Sequence, residues 1–92
     1  MQLMIQPSDL FKVGHDVFEE DGFLNVLTYP ETCGVDEILL RSILRYFGDY
    51  TVTDISDVHW GENHIDMALQ TSMPWSEYLD IRDDIDLYKE AN

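Results

Sequence analysis

Ninety-two residues leave room for one small domain, expected to span residues 1–92. Nineteen acids against five bases give a net charge of −14, which excludes direct nucleic-acid binding through phosphate contacts and argues against docking on anionic membranes. Leu, Ile, Val and Phe make up 27 of the 92 residues, enough to lift the chain clear of the compositions that stay disordered, so a folded domain with a thin core is expected.

Leu3 to Ile5 could form a short strand. Pro7 then punctuates the chain, and Ser8 or Asp9 offers an N-cap for a helix over about 9–20. Leu10, Val13 and Val17 would share one face of it, with Phe11 and Phe18 alongside. Gly14 would weaken this helix by up to ~1 kcal/mol relative to Ala, and Gly22 would end it. Phe23 to Tyr29 reads as a strand stopped by Pro30.

The clearest element is a helix from Val35 to Phe47. Apolar residues recur at 35, 38, 39, 43, 46 and 47 with helical period. Acids lie in its first turn, arginines in its later turns and Gly48 just past its end, in line with the helix dipole and C-terminal capping. Tyr50 to Leu69 reads as a β-hairpin turning at Gly61-Glu62-Asn63. Tyr50, Val52, Val58 and Trp60 share one parity, as do Ile65, Met67 and Leu69. Asp54 interrupts the alternation, so a bulge near 54–56 is expected. After Pro74 a last helix runs to about Lys89, with Tyr78, Ile81, Ile85 and Tyr88 as its buried stripe. The fold class is therefore α+β: a small, partly antiparallel sheet with a hairpin at about 50–70, packed against two or three helices.

The acids are spread along the chain, but the bases are not. Seven acids lie between Lys12 and Arg41 without a basic residue, and seven more lie between Arg45 and Arg82. The arginines have local partners at i,i+4: Glu37–Arg41, Arg45–Asp49 and Arg82–Asp86. Most carboxylates are left uncompensated and repel one another. Glu19, Glu20 and Asp21 would crowd the C-terminal end of the first helix, its unfavourable end for anions. Excess acid can serve solubility alone. It can also imitate a polyanion, because carboxylates at i,i+3 and i,i+4 lie about 5–6 Å apart at Cβ, close to the spacing of neighbouring phosphates on one strand.

In size and acidity the chain resembles DNA-mimic inhibitors, many of them made by phages against restriction or CRISPR enzymes. Immunity proteins and antitoxins that cap nucleases share the same traits. The resemblance is one of composition and covers no motif. It implies a non-enzymatic protein that occupies the nucleic-acid site of a basic nucleic-acid-handling partner. The expected contact residues are Glu77, Asp80, Asp83 and Asp84 of the last helix, Glu62 of the hairpin turn, and Glu19, Glu20 and Asp21. Trp60, Trp75 and the tyrosines suit contacts with Arg-rich surfaces, although most aromatics in so small a chain fill its core. The alternatives are an immunity protein or antitoxin, and an adaptor or assembly subunit whose acidity only keeps it in solution.

No phosphate-binding, dinucleotide-binding or nucleophile-elbow motif occurs, and no cofactor is expected. With Val58, Trp60, Ile65 and Met67 inward, Asp57, His59, His64 and Asp66 would share one outward face with metal-ligand chemistry. Their spacing matches no metal signature, so an ordinary polar face is expected. The single cysteine, Cys33, excludes an intrachain disulfide and suits a reducing cytoplasm, that of a host if the chain is phage-encoded. No apolar run exceeds three residues, so neither a signal peptide nor a membrane span is expected.

Overall fold

The computed structural model describes residues 6–91, with side chains described through residue 84. The expected strand at Leu3–Ile5, and the contributions of Ile85, Asp86 and Tyr88 to the last helix, lie outside the described residues. The first element among the described residues is a 3-10 helix, Pro7–Lys12. There follow β1 (Asp16–Glu20), β2 (Phe23–Thr28), α1 (Cys33–Phe47), β3 (Val52–His59), β4 (Ile65–Pro74) and α2 (Trp75–Ala91). The four strands form one antiparallel sheet in the order β1-β2-β4-β3. The fold is α+β, as the alternation of period-2 and period-3.6 patterns requires.

The first expected helix does not form. The 3-10 helix ends at Lys12, and Gly14 takes φ +70. A Cβ at Gly14 would stand 2.3 Å from the Leu27 carbonyl oxygen, so only glycine lets the chain pass β2 this closely. Asp21 and Gly22 then make a two-residue turn with φ 55 and 88, which sets Glu20 opposite Phe23. Two successive positive φ values suit the right-handed twist of a tight hairpin. Leu10 and Val13 are buried as expected, but from a 3-10 turn and a loop rather than from a helix face.

Helix α1 starts two residues before its expected first residue. Thr28 donates its hydroxyl to Asp36, and the Thr28 and Thr32 hydroxyls lie 3.2 Å apart, which ties the helix start to the end of β2. Arg41 bonds Glu37 at 2.8 Å and Thr51 at 3.0 Å. Held this way, the helix buries Leu40, Ile43 and Leu44, while Val35, Ile38 and Tyr46 point outward. Leu24 and Val26 of β2, Leu69 and Met73 of β4, Leu10 and Tyr78 complete one apolar cluster with them. Among the described residues, all three helical segments join this cluster, on a single face of the sheet.

Two bulges shape the sheet. One in β3 lies between Val52 and Asp54, slightly earlier than expected. The other lies where β2 meets the end of β4, between Phe23 and Asn25. There the buried Thr71 hydroxyl donates to the Leu24 carbonyl at 2.8 Å and accepts from the Met73 N–H at 3.2 Å, satisfying backbone groups that the interrupted ladder leaves unpaired. Among the described residues no helix is long and apolar enough to cross a membrane.

Candidate functional site

The sheet separates the expected contact residues into two sets. Glu19 and Glu20 end β1, Asp21 opens the β1–β2 turn, and all three are exposed. The Trp75 N–H donates to the Gly22 carbonyl at 2.8 Å, so this turn and the start of α2 meet at one corner. Asp80, Asp83 and Asp84 are exposed along α2. Glu62 lies elsewhere, at the tip of the β3–β4 hairpin. Along β4 the two ends are nine residue steps apart, roughly 30 Å at about 3.3 Å per residue.

Several acids also serve the fold. Because β1 is a strand, Glu19, Glu20 and Asp21 do not crowd the end of a helix, and the dipole penalty expected for them does not arise. Glu19 accepts the Gly22 N–H at 3.1 Å, and Asp21 is a residue type that tolerates positive φ. Glu77 is half-buried and accepts the Tyr50 hydroxyl. That bond, followed by burial and the Glu77 charge, raises the Tyr50 pKa above the ordinary tyrosine value. Asp9 accepts the Gln6 N–H at 3.0 Å, which lowers its pKa. Arg82 approaches Asp83 at 3.9 Å. Among the described residues, the expected Arg45–Asp49 ion pair does not form, while Lys12 meets Asp9 at 3.5 Å.

The hairpin end holds a site that the sequence does not announce. The bulge in β3 shifts the parity of its second half. Val58 comes to lie opposite Asp66, and Asp57 opposite Met67. The four residues expected on one outward face are therefore divided. Asp57 and His59 fall on the side of Met67, whereas Trp60 joins Val58 and Asp66 on the other. Asp66 is on the sheet face away from the helices, as alternation predicts, but its side chain is only 3% exposed. The Trp60 indole N–H donates to its Oδ2 at 2.9 Å. His15 Nε2 lies 3.4 Å from Oδ2, and His64 Nε2 lies 3.2 Å from Oδ1. His15 stacks on Tyr29 with ring centroids 4.4 Å apart.

Oδ1 of Asp66 is the one buried side-chain oxygen or nitrogen among the described residues without a hydrogen-bond partner. An orphaned carboxylate oxygen of this kind carries a desolvation cost that a cationic donor would relieve. Trp60 on Asp66 and Tyr29 on His15, at 55% and 48% exposure, give the site an aromatic rim. The signal in the sequence was the pair Trp60 and Asp66 on opposite arms of a short turn. The turn itself closes with the Trp60 N–H donating to the His64 carbonyl at 2.8 Å. Among the described residues, no group of three or more His, Cys, Asp or Glu side chains is arranged to hold a metal ion.

Cys33 is the first residue of α1 and half-buried. Burial raises its thiol pKa, and the Glu37 and Asp36 charges raise it further, which opposes thiolate chemistry. Comparison with known protein families, with curated proteins and with solved structures finds no match to this chain.

Proposed function

We propose that this chain is a non-enzymatic acidic binding protein that occupies the nucleic-acid site of a basic nucleic-acid-handling protein, acting in the cytoplasm where such enzymes work. The observation that carries this reading is the exposed carboxylate row of α2. Asp80, Asp83 and Asp84 follow the i,i+3 and i,i+4 spacing that sets side chains about 5–6 Å apart. Among the described residues their local compensation is a single arginine at 3.9 Å, on a chain of net charge −14. The end of β1 and the turn after it add Glu19, Glu20 and Asp21 at the corner where α2 begins. A groove lined with Lys and Arg would attract this surface at long range and be blocked by it at contact.

The test is competition. The partner is captured on immobilised protein, eluted by salt and identified. It is then titrated with its own DNA or RNA in the presence of wild type or of the triple variant Asp80→Asn, Asp83→Asn, Asp84→Asn. The variant keeps shape and removes three charges. It should release the nucleic-acid site and flatten the salt dependence, since screening acts over about 10 Å at 0.1 M salt. Nucleic acid and this protein binding the partner together would refute the reading, as would equal binding by both proteins across the salt range. An immunity protein or antitoxin would give the same competition with a nuclease as its partner.

A specific observation favours a second reading, that of an adaptor. Val35 and Ile38 are 71% and 70% exposed on the outer side of α1. An apolar pair so placed suits protein contact without charge. Replacing both with Ser would abolish adaptor binding and leave competition with nucleic acid intact.

A further inference from the structure

We propose that the Asp66 carboxylate, with Trp60, Tyr29, His15 and His64 around it, is a socket for one arginine side chain of the partner protein. The inference rests on the reading above that the partner presents a basic surface, and it names one contact within that surface. Three observations carry it. The carboxylate is almost wholly buried, with its side chain 3% exposed, and Oδ1 has no hydrogen-bond partner. Oδ2 is already held by the Trp60 indole N–H at 2.9 Å, so the carboxylate is fixed in orientation with Oδ1 left to accept. The group covering Oδ1 is the His64 imidazole, itself 54% exposed and set where the hairpin turn rejoins β4. An imidazole so exposed can rotate outward without disturbing the core.

The chemistry selects the ligand. A buried anion with one oxygen that makes no hydrogen bond excludes phosphates and carboxylates and asks for a cationic donor. The aromatic rim selects further. The Trp60 and Tyr29 rings offer π faces, which a planar guanidinium stacks on while donating N–H groups in the ring plane. An ammonium is a compact, strongly hydrated charge and gains less from the rim. Aromatic residues and arginine are also the types that most often carry interface energy. The socket lies at the Glu62 end of the sheet, away from the α2 acids, so it would add a second contact to an elongated surface.

The experiment uses the intact protein labelled with 15N and 13C. The probes are three blocked tripeptides, Gly-Arg-Gly, Gly-Lys-Gly and Gly-citrulline-Gly. Citrulline keeps the shape of arginine and loses its charge. The readouts are the Trp60 indole N–H and the His15 and His64 ring signals. The arginine peptide should shift them saturably. The citrulline peptide should bind at least tenfold more weakly, and the lysine peptide should fall between. Asp66→Asn should abolish the response. If that variant misfolds, His64→Ala serves instead, since removing the cover should retain or tighten arginine binding. Equal shifts from arginine and citrulline would overturn the socket, as would shifts confined to α2. A response to Zn²⁺ alone, with none to arginine, would also overturn it and make the site a metal site.

The triple variant of α2 separates this proposal from the one it rests on. If the socket fails while that variant still loses competition with nucleic acid, the mimic reading stands alone. If arginine binds at Asp66 while the captured partner shows no competition, the mimic reading fails and the socket remains.

Discussion

Replacing Gly14 with Ala separates the helix expected over residues 9–20 from the observed hairpin by the sign of its effect. Were this segment a helix, alanine would stabilise it by up to ~1 kcal/mol. In the structure Gly14 takes φ +70, where a Cβ costs about 1–2 kcal/mol. That Cβ would stand 2.3 Å from the Leu27 carbonyl oxygen and 2.6 Å from the Val26 Cγ1. The oxygen belongs to backbone that accepts the His15 N–H at 2.9 Å, so moving it endangers a bond worth about 0.5–1.5 kcal/mol. Val26 is fully buried, and crowding it adds about 1–3 kcal/mol of overpacking. The expected destabilisation is about 3–6 kcal/mol, against a total stability of roughly 5–14 kcal/mol for a chain of 92 residues. Urea unfolding followed by circular dichroism and tryptophan fluorescence would measure it. Gly22→Ala is the control, because its φ is +88 but nothing lies within 4 Å of the new Cβ. It should cost only the backbone strain, about 1–2 kcal/mol. A Gly14→Ala protein as stable as wild type, or more so, would refute the hairpin and the close approach of the chain to β2.

Four further outcomes are expected. Leu69→Ala, at a fully buried position between Val26 and Ile55 in the sheet, should cost about 2–5 kcal/mol by the same urea assay. Raised folded-state pKa values of Tyr50 and Tyr78 mean that their contribution to stability is complete below the unfolded tyrosine value of about 10 and lost as pH rises through the folded values. The melting temperature should therefore fall above about pH 10, and Tyr50→Phe should lower it at neutral pH and shrink the alkaline fall; an unchanged profile in that variant would contradict the Glu77 bond. Cys33 should react with a thiol reagent at pH 7–8 more slowly than a free cysteine and speed up in urea, because burial and the Glu37 and Asp36 charges hold its proton. The triple α2 variant should stay within about 0.5 kcal/mol of wild-type stability or gain slightly from relieved repulsion, so that any loss of binding reports on contact rather than on folding.

The elements legible in the sequence were those whose period admitted one reading. Residues 35–47 carry helical spacing with charges and a terminal glycine in agreement, and they form α1. The arms of the later hairpin alternate and meet at a glycine turn, and they form β3 and β4. Residues 9–20 admitted two readings. Leu10, Val13 and Val17 fit a helical stripe, yet Asp21-Gly22 between apolar strands is a strong hairpin signal, and the positive φ at Asp21 and Gly22 shows which one prevails. The rotation of α1 was hidden because the bonds that set it run from Asp36 to Thr28 and from Arg41 to Thr51, outside the helix.

The Asp66 site depends on one residue more than on any other feature. Alternation assigns faces only while the register is unbroken, and one extra residue exchanges every side chain beyond it. Asp54 announces the bulge in β3. Carrying its parity forward moves Ile55 toward Leu69 and the core, and moves Val58 opposite Asp66. It also takes Trp60 out of the core and places its indole N–H on the Asp66 carboxylate. Without the bulge, Trp60 would face the helices, and Asp57, His59, His64 and Asp66 would line one polar face. With it, a carboxylate is buried beneath an exposed tryptophan and keeps one oxygen without a hydrogen bond. Removing Thr53, the residue between the two register positions, is therefore predicted to straighten β3 while Val58 stays opposite Asp66 and the Trp60 indole stays on that carboxylate. The Trp60 indole N–H resonance and its solvent exchange rate would report whether that bond persists. If the deletion variant folds and loses the protected indole N–H, the account of the site given by register is wrong.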